Sequence, residues 1–169
     1  MVWNIVCDSS CDLRATDVKS ESVQFETVPL RLQVGAREFL DNDQLEVPDL
    51  LQAMAAEKSA SSTACPSPQS YLDAYQGPEE EDVYVVTLSA LLSGSHNSAE
   101  QARMLMEEDH PNKNVYVFNS CSASSGEVLT ALKIRELASS GMAFKHVVRE
   151  VEQFIYQMQT LFVLESLEN

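Results

Sequence analysis

The chain has 169 residues, of which 44% are hydrophobic, and its formal net charge is −15. This length is enough to bury the core of one domain. With only 11 Lys and Arg, the chain is a poor match for nucleic acid or an anionic membrane surface, because binding to either depends on basic residues. No apolar run approaches the ~20 residues that cross a bilayer, and no basic signal-peptide region begins the chain, so we expect a cytoplasmic protein without membrane insertion.

The first predicted element is a short apolar strand, Val2–Val6, and a polar bend over Asp8–Asp12 follows it. The bend has two interpretations. Its Asp and Ser side chains can satisfy their own backbone in an ordinary turn. Alternatively, they form a polar wall of a ligand cleft, and the sequence alone leaves both interpretations open.

Apolar residues then alternate over Val23–Val34, which predicts a strand. Pro29 has no amide hydrogen, so this strand is interrupted, bulged or at a sheet edge. Gly35 indicates a hairpin into a further strand, Arg37–Leu40. A helix is predicted from Pro48, because proline suits the first helical turn and apolar residues recur after it at helical spacing.

Two prolines fix an extended loop over Cys65–Pro68, and the next helix begins there. We expect Ser67 to cap this helix and Tyr71 and Tyr75 to lie on its buried side. A glycine–proline pair ends the helix. The acidic residues 79–82 that follow are predicted to form a solvated turn.

The central unit of the predicted fold covers residues 82–106. An unbroken apolar run, Val83–Val86, is typical of a strand that is buried on both faces. The loop Ser89–Ser95 leads into a helix, and we expect Ser95 to be its N-cap. Amides at such a helix start favour an anionic group of a ligand.

A further strand is predicted over Asn114–Phe118, and a polar bend leads from it into a helix that ends near Ser139. Apolar residues spaced by three and four predict another helix over Phe144–Met158. Leu161–Leu164 is predicted to begin one more strand, which suggests that the chain is truncated.

The alternation of strands and helices predicts an α/β fold, with a Rossmann-like, mainly parallel sheet that is flanked by helices. Residues 1–160 form this domain, and residues 161–169 begin a second domain that is largely missing. In such a sheet the loops that begin at Asp8, Ser89 and Asn119 emerge at the same edge.

Several known chemistries do not match the chain. The three-glycine dinucleotide fingerprint and the GxxxxGK[ST] phosphate loop are both absent from the sequence. The segment around Gly94 does not form a G-x-S-x-G elbow, and His96 is interpreted as a surface residue of the first helical turn. A small esterase that uses Ser93 or Ser95 with His96 stays open as an alternative.

The chain has four cysteines: Cys7, Cys11, Cys65 and Cys121. They do not form the two close pairs of a zinc ribbon, so we expect reduced, small apolar side chains and no metal. A thiol enzyme that uses Cys7 or Cys121 is the other enzymatic alternative. Neutral hydroxyls and helix-start amides remain, and they suit a carboxylate or phosphate head group better than acid–base catalysis.

Five motifs, in order along the chain, resemble the DegV family of bacterial fatty-acid-binding proteins. They are Val6–Leu13, Val28–Leu30, Thr63–Pro68, Ser89–Ser95 and Asn119–Ser120. Each motif alone is weak evidence for the family, whereas five motifs in the family's order make a strong match. The resemblance implies the fold of the DegV N-terminal domain and a lipid-binding subunit that is not itself an enzyme.

The resemblance also implies a ligand site. In the family, a long-chain fatty acid lies between two domains, and hydroxyl and backbone groups hold its carboxylate. The matching residues here are Thr63, Ser93 and Gly94, with Ser95 in place of the family threonine. A secondary cleft wall would consist of Asp8, Ser9 and Ser120.

Three positions depart from the family pattern. Ala64 and Cys65 replace a Ser–Gln pair, which makes that loop less polar, and Asn119 replaces an aspartate. The resemblance implies two partners, a fatty acid kinase subunit to which the bound acid is presented and the missing second domain. No cofactor is implied. A further interpretation is that the exposed face is simply the interface to that second domain.

Overall fold

The structure of the protein is a computed structural model, and it describes residues 3–20, 22–78 and 81–163. Its strands are β1 (Trp3–Asp8), β2 (Val23–Val28), β3 (Arg31–Val34), β4 (Arg37–Leu40), β5 (Ser62–Ala64), β6 (Asp82–Thr87) and β7 (Val115–Asn119). Its helices are α1 (Ala15–Val18), α2 (Val47–Ala56), α3 (Pro68–Ala74), α4 (Ser95–Asp109), α5 (Ser125–Ser139) and α6 (Phe144–Gln157).

The main sheet has four parallel strands in the order β2-β1-β6-β7. All residues of β1 and β6 are buried, as expected for central strands with helices on both faces. The predicted α/β class and parallel sheet are therefore confirmed. The three loops that leave β1, β6 and β7 emerge at the carboxyl edge.

Alternate residues of each strand pack on opposite faces of the main sheet. Ile5 and Tyr84 point into the core under α1, α5 and α6. Val6 and Val85 point into a second core under α3 and α4. The period of two along each strand thus divides one apolar run between two cores.

The predicted strand Val23–Val34 is in fact two strands in different sheets. β2 ends before Pro29, and β3 pairs antiparallel with β4 and β5 in a separate three-stranded sheet. The break falls at Pro29 because a residue without an amide hydrogen cannot continue the ladder. The predicted hairpin at Gly35 is confirmed, with a φ of 57° at that glycine.

The predicted solvated turn is wrong for the two acidic residues that the structure describes there. Asp82 is the first residue of β6, and it accepts a hydrogen bond from Asn114 Nδ2 at 2.8 Å. Glu81 is buried with its carboxylate 4.0 Å from Nζ of the buried Lys113. Glu79 and Glu80 lie outside the described residues.

Two other local predictions need correction. Helix α4 begins at Ser95 itself, with Gly94 in the capping position, so Ser95 is not the N-cap. No strand forms over residues 161–163, and Leu164 lies outside the described residues. The capping role of Ser67 is confirmed, because its hydroxyl accepts from the Ser70 amide.

In the described ranges no helix is long and apolar enough to cross a membrane.

Candidate functional site

The loops after β1, β6 and β7 are joined to one another at the carboxyl edge of the main sheet. The Leu88 amide donates to Asp8 Oδ2 at 3.0 Å. The Ser89 amide donates to the Ser122 carbonyl in the loop after β7 at 2.7 Å, and the Ala90 amide donates to Oδ1 of Asn119, the last residue of β7. The sequence prediction that these loops meet is therefore confirmed.

The loop between β6 and α4 folds into a tight turn around Ser93. The amides of Leu92 and Ser93 donate to the Ser89 carbonyl at 2.9 and 3.1 Å. Ser93 Oγ accepts from the Ser95 amide at 3.2 Å and donates to Ser95 Oγ at the same distance. Ser93 is half-buried and Ser95 is buried, so the Ser93 hydroxyl is the more accessible of the two.

This loop ends at the N-terminus of α4, where the first helical amides have no carbonyl of their own helix to bind. The helix dipole adds a partial positive charge at the same place. Gly94 is exposed at this point of the loop. Together these features can hold an anion without a basic side chain.

The segment that contains Thr63 reaches the same helix start. A Cβ atom on Gly94 would lie only 2.9 Å from Cys65 Sγ, and Cys65 Sγ lies 3.9 Å from Ser98 Oγ. Thr63 is exposed on β5, two residues before Cys65, and so within about 7 Å of chain. The structure thereby brings the Thr63 segment to Gly94, which sequence spacing could not establish.

Asn119 supports two loops with one amide oxygen. Its Oδ1 accepts from the Ala90 amide and from the Cys121 amide, each at 3.1 Å. A carboxylate would accept the same two hydrogen bonds while adding a negative charge. The neutral side chain therefore keeps the loop geometry beside a site suited to an anion.

The predicted cleft-wall residues use their polar atoms within the protein. Ser9 Oγ accepts from the Leu30 amide at 3.0 Å, which ties the first bend to the turn after Pro29. Ser120 is buried and its hydroxyl donates to the Ser122 carbonyl at 3.3 Å. Asp8 is buried, and desolvation raises its pKa although its hydrogen bonds oppose the shift. Their contact with a ligand stays a prediction.

Glu127 is the buried residue that the sequence analysis missed. It lies in the first turn of α5, fully buried, and its Oε1 accepts from the Ser124 amide at 3.1 Å. Ser10 Oγ makes a short contact with the same oxygen. Burial, followed by the nearby Asp8 charge, raises the pKa of Glu127 to about 9. The Ser-x-x-Glu spacing of a capping box was the signal that could have identified it.

The geometry gives little support to an enzymatic site. His96 Nδ1 lies 3.2 Å from Thr87 Oγ1, whereas Ser93 and Ser95 bond to each other. A serine nucleophile needs a hydrogen bond to its base. Cys7 is fully buried, and Cys121 is exposed. Across the described ranges, no group of three or more His, Cys, Asp or Glu side chains is placed to hold a metal.

The fold and these loops define an α/β protein whose carboxyl edge offers hydroxyl groups and helix-start amides to an anion. The family model for uncharacterised proteins of the DegV family matches residues 2–169, so the chain belongs to the DegV family. A DegV domain-containing protein of Streptococcus gordonii is 41% identical over all of this chain and 59% of its own length. Another, from Streptococcus pyogenes serotype M18, is 37% identical, and 60% of it is covered. The chain thus spans about 60% of these curated relatives.

Solved structures of this family match the fold closely. The Streptococcus pneumoniae Fatty Acid Kinase (Fak) B3 protein, loaded with linoleic acid, has a TM-score of 0.87 and 36% identity, over 92% of this chain and 55% of that one. A Ruminococcus gnavus DegV family protein with vaccenic acid has a TM-score of 0.83 and 40% identity, over 90% and 54%. A Eubacterium eligens DegV family protein, loaded with heptadecanoic acid, has a TM-score of 0.83 and 28% identity, over 92% and 54%.

Proposed function

We propose that this chain binds a long-chain fatty acid, with the carboxylate at the loops after the strands. The observation that carries the proposal is the start of α4, where the Ser93 hydroxyl and the helix amides converge and the first helical turn has no acidic residue. The fatty acids in three similar structures support the same ligand class. The residues proposed to contact the carboxylate are Thr63, Ser93, Gly94 and Ser95.

Each of these residues has a distinct part in holding the carboxylate. The Ser95 amide fixes Ser93 Oγ in place, and the Ser93 hydroxyl hydrogen can then turn from Ser95 Oγ to a carboxylate oxygen. Gly94 leaves room because it has no Cβ, in a place already limited by Cys65. Thr63 supplies a second hydroxyl from the adjoining segment. The helix dipole favours the ionised form of the acid.

The loop Ser89–Ser95, called the head-group loop from here on, has apolar surface beside it that is available to the acyl chain. Leu91 and Leu92, immediately before Ser93, are 96% and 63% exposed. Thr160 Oγ1 donates to Ser122 Oγ at 2.7 Å, so the exposed apolar residues 161–163 leave α6 beside the same edge. Each methylene group that is covered stabilises binding by about 0.8 kcal/mol, so even partial covering of the acyl chain would raise the affinity.

The proposed role is to present the bound acid to a fatty acid kinase subunit, which would phosphorylate the carboxylate. The name of the Streptococcus pneumoniae protein, Fatty Acid Kinase (Fak) B3, supports this partner. Under this proposal the chain itself is a binding subunit. Its hydroxyls orient the carboxylate, and the phosphoryl-transfer groups belong to the partner.

The first test is native mass spectrometry of this chain as purified, followed by titration with oleate. We expect a co-purified long-chain fatty acid or saturable binding. The double variant Thr63→Ala, Ser93→Ala should lower the affinity on the order of a hundredfold, because two hydrogen bonds to a charged group are lost. The double variant Ser20→Ala, Ser139→Ala removes two exposed hydroxyls at the opposite sheet edge and is the matched control.

The outcomes test the ligand class and the assigned site residues separately. A chain that binds no long-chain fatty acid would contradict the proposed function. Wild-type affinity in the Thr63→Ala, Ser93→Ala variant would instead contradict the head-group assignment. Stoichiometric labelling of Ser93 or Ser95 by a fluorophosphonate probe would favour the hydrolase alternative over a binding subunit.

A further inference from the structure

A buried pair of carboxyl groups lies directly beneath the head-group loop. Asp8 ends β1, Glu127 lies in the first turn of α5, and Ser10 lies between their side chains. Ser10 Oγ is 2.7 Å from Asp8 Oδ1 and in short contact with Glu127 Oε1. The proposed ligand contacts do not include Glu127.

If both carboxyl groups were ionised, the cluster would not have a hydrogen atom for each of its two contacts with Ser10 Oγ. The Ser10 hydroxyl has one hydrogen and can donate to only one of its two carboxyl neighbours. If both neighbours were ionised, the other short contact would bring two acceptors together without a hydrogen between them. A second hydrogen is therefore required, and it belongs to a carboxyl group.

Glu127 is the group that holds this hydrogen. Asp8 receives the amide hydrogens of Ser10 and Leu88, which stabilise its charge. Glu127 receives one amide hydrogen, from Ser124, and its Oε2 is buried with no hydrogen-bond partner among the described residues. An ionised carboxylate in that position would leave a buried charge poorly compensated.

The surroundings of Glu127 agree with this assignment. The titratable groups that face it from β1 are Cys7 and Asp8, and those from the following bend are Cys11 and, through Ser124, Asp12. All of these become negative, not positive, when they lose a proton. None of them can therefore compensate the negative charge of an ionised Glu127.

The same cluster is connected to the head-group loop by one hydrogen bond. Asp8 Oδ1 faces Ser10, and Asp8 Oδ2 accepts from the Leu88 amide at 3.0 Å. Leu88 immediately precedes the Ser89–Ser95 loop. The orientation of the Asp8 carboxylate thus sets where that loop begins, and Glu127 sets the orientation of Asp8 through Ser10.

We propose that Glu127, as a neutral acid, is a positioning residue for the head-group loop, acting through Ser10, Asp8 and the Leu88 amide. A neutral Glu127 also adds no negative charge to this edge of the sheet, which favours an anionic ligand. The inference rests on the proposed fatty-acid binding, and it concerns a residue outside the proposed ligand contacts.

The experiment compares oleate affinity from pH 7 to pH 10.5 in the wild type, Glu127→Gln and Glu127→Ala. Glutamine keeps a neutral hydrogen-bonding group, so at pH 7 it should bind within about threefold of the wild type, whereas alanine should bind on the order of tenfold more weakly. Above pH 9 the wild type should lose about tenfold in affinity per pH unit relative to Glu127→Gln. The ratio of the two affinities cancels ionisation of the ligand itself.

Glu136→Gln, an exposed substitution on the same helix, is the matched control and should follow the wild type at every pH. A Glu127→Gln profile that parallels the wild type up to pH 10.5 would overturn the inference. The chemical shift of the Glu127 carboxyl carbon, measured without ligand, tests the inference independently of binding. A shift typical of an ionised carboxylate at pH 7 would overturn it. Wild-type protein that binds no oleate at pH 7 would instead contradict the proposed function.

Discussion

Replacing Glu127 by glutamine should change how the free energy of unfolding depends on pH. Burial holds the pKa of this side chain near 9, against an ordinary value of 4.5. Between those values the folded protein keeps a proton that the unfolded chain has released. Stability linked to this group is therefore fully present below pH 4.5 and falls as pH rises, until the curve becomes flat above pH 9.

The slope in that window is about 1.4 kcal/mol per pH unit for one proton. Glutamine has no such proton, so the variant should gain on the wild type by about 3 kcal/mol between pH 6 and pH 8. The buried position of Glu127 means that solvent screening does not reduce this figure. Shifted groups that do not interact with Glu127, such as the exposed Glu26, are present in both proteins and cancel in the difference.

Urea unfolding at pH 6, 7 and 8, followed by circular dichroism, measures this difference directly. The m-values of the two proteins should agree, because glutamine and glutamic acid bury the same surface. Two stability curves that run parallel across these pH values would refute the assignment of the proton to Glu127. Parallel curves are the result expected of a Glu127 that is ionised in the folded protein, because neither state then gains or loses a proton at this position between pH 6 and pH 8.

Three further predictions concern single positions. Gly94→Ala should weaken oleate binding several-fold, since its Cβ would meet Cys65 Sγ at 2.9 Å, and adding Cys65→Ala should restore affinity in the same titration. Ser67→Ala should lower the free energy of unfolding by about 1 kcal/mol, because the Ser70 amide loses its capping partner, and unchanged urea midpoints would contradict this. Asn119→Asp should fold normally, because both amides that bind its side chain keep an acceptor, yet bind oleate more weakly as the ligand meets an added charge.

Local pattern was sufficient to predict most elements of the main sheet. The run Val83–Val86 and the spacing over Phe144–Met158 predicted β6 and α6 closely, since each pattern depends on neighbours within a few residues. The meeting of three loops at one edge also followed, because parallel strands place their carboxyl ends together. The family resemblance added the ligand class, which remains proposed for this chain.

Local pattern failed where a distant residue decides the environment of a polar group. Glu81 and Asp82 look like a solvated acidic turn, but Lys113 and Asn114, more than 30 residues later, allow them to be buried. Ser95 looks like an N-cap, yet the turn around Ser93 moves the helix start by one residue. The partners of Glu81 and Asp82 are distant in the sequence, whereas at Ser95 the periodic pattern does not show the turn that Ser93 makes.

The sequence by itself thus determined the α/β class, the order of the main elements and the loops that meet at the carboxyl edge, because period and turn chemistry act over short distances. Only the tertiary structure decided that Cys65 packs on Gly94 and that Ser10 lies between Asp8 and Glu127. Ser10 and Glu127 are 117 residues apart, and no local rule relates them. Whether a carboxyl group holds its proton depends on burial and on the charges beside it, and both exist only once the chain has folded.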